Sequence, residues 1–312
     1  MARKRRGRPV HGWIAVDKDI GITSTQVVGR VRRLFDAQKA GHAGTLDPLA
    51  SGVLPIALGE ATKTVSYVMD GRKSYRFSAR WGEERTTDDC EGDVCAVSDV
   101  RPDSAAIAAA LPGFTGRISQ VPPVYSAVKI DGERAYKRAR AGEEFAPDAR
   151  DVDIYRFALV DMPDRDHAVF EVDCGKGTYI RSLARDLARA LGTVAHVATL
   201  RRTGSGPFRE ADAISLDKLA ESVVSAAPQE YLLPVATALD DIPALALTET
   251  QADYLRHGRA VRARSGSSLF VDVDQFGALS DGSLLCAMAG DVPVALARLV
   301  GEEIRPLRVL NL

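Results

Sequence analysis

The stretch from Gly41 to Pro55 constrains this chain more than any other. It places glycine at 41, 44 and 52 and proline at 48 and 55. Glycine lacks the Cβ that favours regular structure, and proline removes a backbone donor, so this density predicts a loop. Leu46, Leu49, Val53 and Leu54 are interleaved with these breakers, so the loop should pack against a core. Asp47 sits in its middle. Apolar anchors on both sides would hold that carboxylate in one place, as a nucleophile or general base requires. An Asp-Pro pair can also simply open a turn.

Elsewhere the hydrophobic pattern is regular. Tyr75, Phe77, Ala79 and Trp81 alternate with Ser74, Arg76, Ser78 and Arg80, which predicts a half-buried strand. Ala168, Phe170, Val172 and Cys174 alternate likewise and run into Gly175-Lys176-Gly177-Thr178. Ile180, Leu183, Ala184, Leu187 and Leu191 then recur at helical spacing until Gly192. The reading is strand, glycine turn, helix. Arg181 falls near the start of that helix, where the macrodipole disfavours a cation unless an anion compensates. Asp47 could be that anion, while Arg185 and Arg189, at four-residue spacing, read as a solvated stripe.

From Lys129 to Arg140 five basic residues face two acidic ones, with Tyr136 among them. That suits an element following a phosphate backbone, and also a solvated helix. Beyond about Tyr231 the pattern changes. Pro234 and Pro243 bracket an expected linker, and short alternating pieces at 269–273 and 284–288 predict a small β-rich domain.

Composition excludes several classes. The 312 residues are 46% hydrophobic, enough for a sizeable core and more consistent with two domains than one. With 41 Lys and Arg against 42 Asp and Glu, any nucleic-acid surface must be local; Arg3, Lys4, Arg5, Arg6 and Arg8 form one basic cluster. No apolar run is long enough to span a membrane, and the basic start is not followed by a signal-peptide core, so a cytoplasmic protein is expected. Cys90, Cys95, Cys174 and Cys286 form no Cys-x-x-Cys pair, and the acidic run from Asp88 to Asp93 lacks the sixth-position glycine and distal glutamate of a calcium loop. No metal is expected. Gly59-Glu60-Ala61-Thr62-Lys63-Thr64 has no glycine before its lysine, which argues against a triphosphate-binding loop.

The wording of Gly41–Pro55 closely resembles the signature of the TruB family, bacterial synthases that convert uridine 55 in the tRNA T-loop into pseudouridine. A histidine five residues before the aspartate and the run Leu-Asp-Pro-Leu-Ala-Ser-Gly agree. The Lys-Ser-Tyr, Lys-Gly-Thr-Tyr-Ile-Arg and Val-Ala-Thr-Leu-Arg-Arg-Thr-Gly segments resemble further family motifs, and the stretch from Gln120 to Gly142 resembles a thumb that closes over the T-loop. One departure is Asp19, where members often carry proline after the lysine.

The resemblance implies a mixed α/β (α+β) fold: a pseudouridine synthase catalytic domain with a large, mainly antiparallel sheet, plus a small C-terminal PUA-like β-rich domain. It implies a basic arm at 1–9, a catalytic domain at 10–233 with a thumb at about 120–150, and an RNA-binding domain at 240–312. Asp47 would be the catalytic aspartate, Arg181 its partner, and Tyr75 a catalytic aromatic against the target base. His42, Tyr179 and Leu200 would shape the pocket, and Lys63 would support the Asp47–Arg181 pair. The base must leave the stack to react; Asp47 then attacks C1′ or removes the 2′ proton, and the base rejoins through C5. No cofactor is implied. The partner is tRNA, through its T-arm, and the thumb favours a monomer without accessory subunits. A guide-RNA-directed synthase and a tRNA-folding factor are the alternatives.

Overall fold

The structure, a computed structural model, describes residues 7–126, 128–130, 132–143, 145–224, 228–262 and 279–312. Most of the basic arm and the piece at 269–273 lie outside these residues. Strand β1 (Gly12–Lys18) turns Trp13 and Ala15 to one side and Ile14 and Val16 to the other, all buried. Thr23 then caps α1 (Ser24–Leu34): its hydroxyl accepts from the Gln26 N–H and the Gln26 side chain accepts from the Thr23 N–H. Two donors left over at a helix start are satisfied reciprocally.

Strands β2 (Ala40–His42) and β3 (Ala50–Leu58) pair antiparallel. The predicted loop is therefore shorter than its glycines and prolines suggested, with residues 43–49 alone outside the sheet. Pro55 costs the strand one donor, but it still lies opposite Ala15 and its carbonyl accepts from the Ala43 N–H at 2.9 Å. Gly52 has φ +100°, and a Cβ there would stand 2.2 Å from the Arg202 carbonyl oxygen. Close backbone approach, not a turn, requires that glycine.

Helix α2 (Val65–Asp70) leads into β4 (Lys73–Trp81), the half-buried strand that the alternation predicts. A hairpin of β5 (Glu83–Arg85) and β6 (Val94–Val97), helix α3 (Ser104–Ala110) and β7 (Gly116–Gln120) follow. The chain then makes an excursion carrying β8 (Lys129–Ile130), β9 (Glu133–Arg134) and α4 (Ala135–Arg140), and returns as β10 (Arg150–Asp164) beside β7. Strand β11 (His167–Cys174), the glycine turn and α5 (Ile180–Ala190) follow the predicted order. After them come β12 (Ala195–Ser205), β13 (Phe208–Arg209), β14 (Ile214–Ser215) and α6 (Leu216–Val224).

Among the described residues ten strands form one sheet, ordered β14-β1-β3-β12-β4-β11-β10-β7, with β2 on β3 and β13 on β12. The β1–β14 and β3–β12 pairs are parallel and the others antiparallel, as a mainly antiparallel α/β sheet was expected to be. Val27 and Val31 of α1 pack on Ile14, Leu54 and Ile56, while Leu183 and Leu187 of α5 pack on Phe77 and Phe170. Tyr75 and Leu200 touch both clusters. The two helices thus share a face of the sheet, and Tyr75 and Leu200 mark the seam between them.

On the opposite face Trp13, Ala15, Val53 and Ala57 pack against Val235 and Leu239, and against Cys286, Leu296 and Leu310 of a second unit. Val235 and Leu239 are buried, so the segment between Pro234 and Pro243 is packed rather than a loose linker. The second unit contains β15 (Ala244–Ala246), α7 (Glu249–Arg256), β16 (Val261–Arg262), β17 (Leu284–Ala289), β18 (Val292–Val300) and β19 (Glu303–Val309). Its strands run in the order β15-β17-β18-β19-β16 around a core of Leu245, Leu255, Leu285 and Ile304. This is the expected β-rich C-terminal domain.

Candidate active site

A cleft of about 740 Å³ opens at the seam between α1 and α5. The loop from Gly44 to Pro48, the segment around Thr87 and Asp89, the turn from Gly175 to Tyr179, and Tyr75, Leu200 and Arg202 line it. Tyr125, Ser126, Tyr136 and Arg140 of the excursion close one side.

Asp47 is anchored on both sides, by hydrogen bonds to the loop backbone as well as by the buried Leu46. Ser24 Oγ accepts from the Leu46 N–H at 2.9 Å and donates to the Leu46 carbonyl at 3.1 Å. The fully buried Lys18 ammonium donates to the carbonyls of Ile22 at 2.8 Å and Pro48 at 3.3 Å. Burial pulls Lys18 down to about 8, and the nearby Asp47 charge opposes that shift. The carboxylate between these anchors keeps 42% of its side-chain surface exposed, so a bound molecule can reach it.

Asp47 Oδ2 lies 3.0 Å from Arg181 Nη2. The arginine is buried and makes four contacts. Nη1 reaches Asp89 at 3.4 Å and donates to the Thr87 carbonyl at 2.8 Å, while Nη2 also donates to the Tyr125 carbonyl at 2.9 Å. The anion expected to offset a cation at the start of α5 is thus a pair of carboxylates, Asp47 and Asp89. Asp89 belongs to the acidic run whose calcium reading failed, and two consecutive aspartates within reach of two arginines were the signal it carried.

The neighbouring arginine corrects an expectation. Arg185 was read as solvated but is buried, with Asp88 Oδ2 at 2.9 Å from Nη1, Asp186 at 2.9 Å from Nε, and the Val121 carbonyl accepting from Nη2 at 2.9 Å. A guanidinium enters a protein interior when its donors are matched in this way. Arg189 does lie outside, with a carboxylate of Glu84 at 2.6 Å.

Tyr75 sits on β4 opposite Val172 and Arg202. Burial raises its phenol, against the pull of the Arg202 guanidinium's charge. Arg202 is itself buried, donating to the Val53 carbonyl at 2.7 Å and the Gly44 carbonyl at 3.1 Å. It therefore ties β12 to the head of the Asp47 loop. Sequence reasoning named Leu200 and passed over Arg202, although residues two apart on a strand share a face. Tyr179 caps α5 and is held by Gln120, whose side chain accepts from its N–H at 2.8 Å and donates to its carbonyl at 3.1 Å.

Two expected pocket residues are not among those lining the cleft. His42 ends β2 and does not line the cleft; its buried Nδ1 has no partner among the described residues, and burial, then Arg202, lowers its pKa. Lys63 does not reach the Asp47–Arg181 pair. Its ammonium donates to Glu60 at 2.6 Å and to the Val309 carbonyl at 2.8 Å, joining the two domains. Besides Arg181, the buried cations lining the cleft among the described residues are Lys73 and Arg202.

Residues 32–180 match the family described as "TruB family pseudouridylate synthase (N terminal domain)", and residues 181–240 match "tRNA pseudouridylate synthase B C-terminal domain". The chain is 56% identical to a tRNA pseudouridine synthase B of Gluconacetobacter diazotrophicus, over 99% of this chain and 100% of that protein. It is 53% identical to the protein of the same name from Rhodospirillum rubrum, over the whole of both. Among solved structures, an H/ACA RNP bound to a substrate RNA containing 2′-deoxyuridine superposes with a TM-score of 0.74 at 23% identity, covering 100% of this chain and 92% of that one. A Cbf5-Nop10-Gar1 complex gives 0.73 at 27% identity, covering 96% and 85%.

Proposed function

The chain belongs to the TruB family of pseudouridylate synthases, and from that premise we propose that Asp47 acts on the ribose of a uridine flipped into the cleft from a tRNA T-loop. The protein is a tRNA pseudouridine synthase, an isomerase, and the family's activity is conversion of uridine 55 to pseudouridine. The observation that carries the assignment is the half-exposed Asp47 carboxylate held at 3.0 Å by a buried arginine.

The chemistry balances within one nucleotide. The N1–C1′ bond breaks, the base turns, a C5–C1′ bond forms, and the proton lost from C5 is matched by one gained at N1. Flipping costs a few kcal/mol of stacking, offset by contacts in a cleft lined by Tyr75, Tyr179 and Leu200. Arg181 orients Asp47 and balances its charge. Tyr75 lies under the base, and because burial raises its phenol it enters as a neutral hydroxyl. A neutral phenol passes a proton on, accepting at oxygen as it gives up its own, and is a poor base otherwise.

The excursion between β7 and β10 serves as the thumb. Arg140 stands 5.8 Å over the Tyr136 ring, and both line the cleft. Such side chains follow a phosphate backbone without reading bases. The domain at 240–312 adds further backbone contacts, and the enzyme works in the cytoplasm on the T-arm as a monomer, without accessory subunits. Incubating the purified protein with an unmodified tRNA transcript and mapping pseudouridine tests this reading: product at position 55 is expected, and a protein that binds the transcript but forms none is a folding factor instead. Tyr75→Phe keeps the ring and removes the hydroxyl. Its tRNA affinity should stay near wild type while single-turnover rates fall roughly 10²- to 10⁴-fold, the range of a lost proton-transfer group; an unchanged rate removes Tyr75 from proton transfer.

A further inference from the structure

Four residues apart on α5, Arg181 and Arg185 lie one helical turn from each other, and two consecutive carboxylates meet them: Asp89 takes Arg181 at 3.4 Å and Asp88 takes Arg185 at 2.9 Å. Each arginine also holds the root of the thumb. Arg181 donates to the Tyr125 carbonyl and Arg185 to the Val121 carbonyl, both at 2.9 Å, and Ser182 Oγ donates to the Val121 carbonyl at 2.8 Å. Asp88 adopts φ +59°, a left-handed conformation that aspartate and asparagine tolerate better than most residues. Its carbonyl in turn accepts from the Val197 N–H of β12 at 3.0 Å.

We propose that Asp88 and Arg185 are positioning residues for the isomerisation: their buried ion pair sets the register of Asp89 and Arg181, and so of Asp47, while fixing the thumb root to the same helix. This rests on Asp47 being the catalytic group. Neither residue lines the cleft, so any effect on the reaction must pass through Arg181 and the thumb. Arg185 is held firmly cationic, since Asp88 and Asp186 outweigh the burial that works against its charge. A buried pair is a costly way to add stability, but it fixes two elements at a defined distance and angle.

Asp88→Asn preserves the left-handed turn and removes the charge; Arg185→Lys keeps the charge and loses the fork that reaches Val121 and Asp186. Folded samples of each should bind unmodified tRNA within about threefold of wild type, yet form pseudouridine roughly 10- to 100-fold more slowly in single turnover at saturating tRNA, the scale of a catalytic group displaced by about 1 Å. The two losses should be non-additive when combined. If a single change prevents folding, Asp88→Asn with Arg185→Gln removes both charges of the buried pair, leaves only the partly exposed Asp186 without its arginine, and is expected to fold and to be slow. A purely structural pair lowers the melting temperature of these variants but leaves the folded protein at the wild-type rate, and that result overturns the proposal. Failure of Asp47→Asn to lose activity would instead show that the active-site assignment is wrong.

Discussion

Asp47→Asn is expected to bind tRNA and to form almost no pseudouridine. Asparagine keeps the size of the side chain and most of its hydrogen bonding, and it favours turns as readily as aspartate. A residue that merely shapes the loop would tolerate the change. Removal of a nucleophile or base would not be tolerated, and single-turnover rates should fall by roughly 10⁴-fold or more, as for other groups that act within a catalytic ensemble. Folding should survive. Arg181 would still hold Asp89 and the Thr87 and Tyr125 carbonyls, and the loop would keep its anchors at Ser24 and Lys18. Affinity should survive as well, because binding draws mainly on phosphate contacts. Pseudouridine yield and tRNA affinity measured on the same folded sample decide the matter, and substantial turnover would remove Asp47 from the chemistry.

The meeting of Asp47 with Arg181 was legible in part from local physics, although an Asp-Pro turn stayed open for Asp47 until the family resemblance favoured a catalytic role. Leu46 and Leu49 flank the carboxylate in a segment broken by glycine and proline, and a cation at a helix start calls for an anion. Arg185 was not legible. Its spacing from Arg181 and Arg189 fits an outward stripe, and its partner Asp88 lies on a loop 97 residues earlier in the chain. Burial of such a residue is decided by tertiary contact, to which helical periodicity is blind. Pro55 misled for a related reason: a proline in a strand loses one donor, which the sheet tolerates where the carbonyl still pairs. Arg202 could have been found from alternation with Leu200. His42 and Lys63 were assigned by motif resemblance without a local physical signal, and these are the two that the structure leaves off the cleft lining.

Arg181→Lys should separate the charge of the arginine from its shape. The guanidinium uses two nitrogens for four acceptors: Nη2 spans Asp47 and Tyr125, and Nη1 spans Asp89 and Thr87. An ammonium keeps the positive charge but offers its donors from a single point, so it cannot span the same set. If Arg181 supplied only a counter-charge, lysine would restore most of the activity. If it holds Asp47 at a fixed angle to the ribose, lysine should cost about 10²- to 10³-fold in single turnover, comparable to losing one preorganised contact to the reacting group. The charge retained beside Asp89 should limit the loss of stability. Arg181→Met gives the contrast, because it strands a buried carboxylate at a cost of about 3–5 kcal/mol and should unfold at markedly lower temperature. Melting temperature and single-turnover rate should therefore rank the variants differently: lysine near wild type in the first and far below it in the second. A lysine variant that turns over at the wild-type rate would reduce Arg181 to a counter-ion.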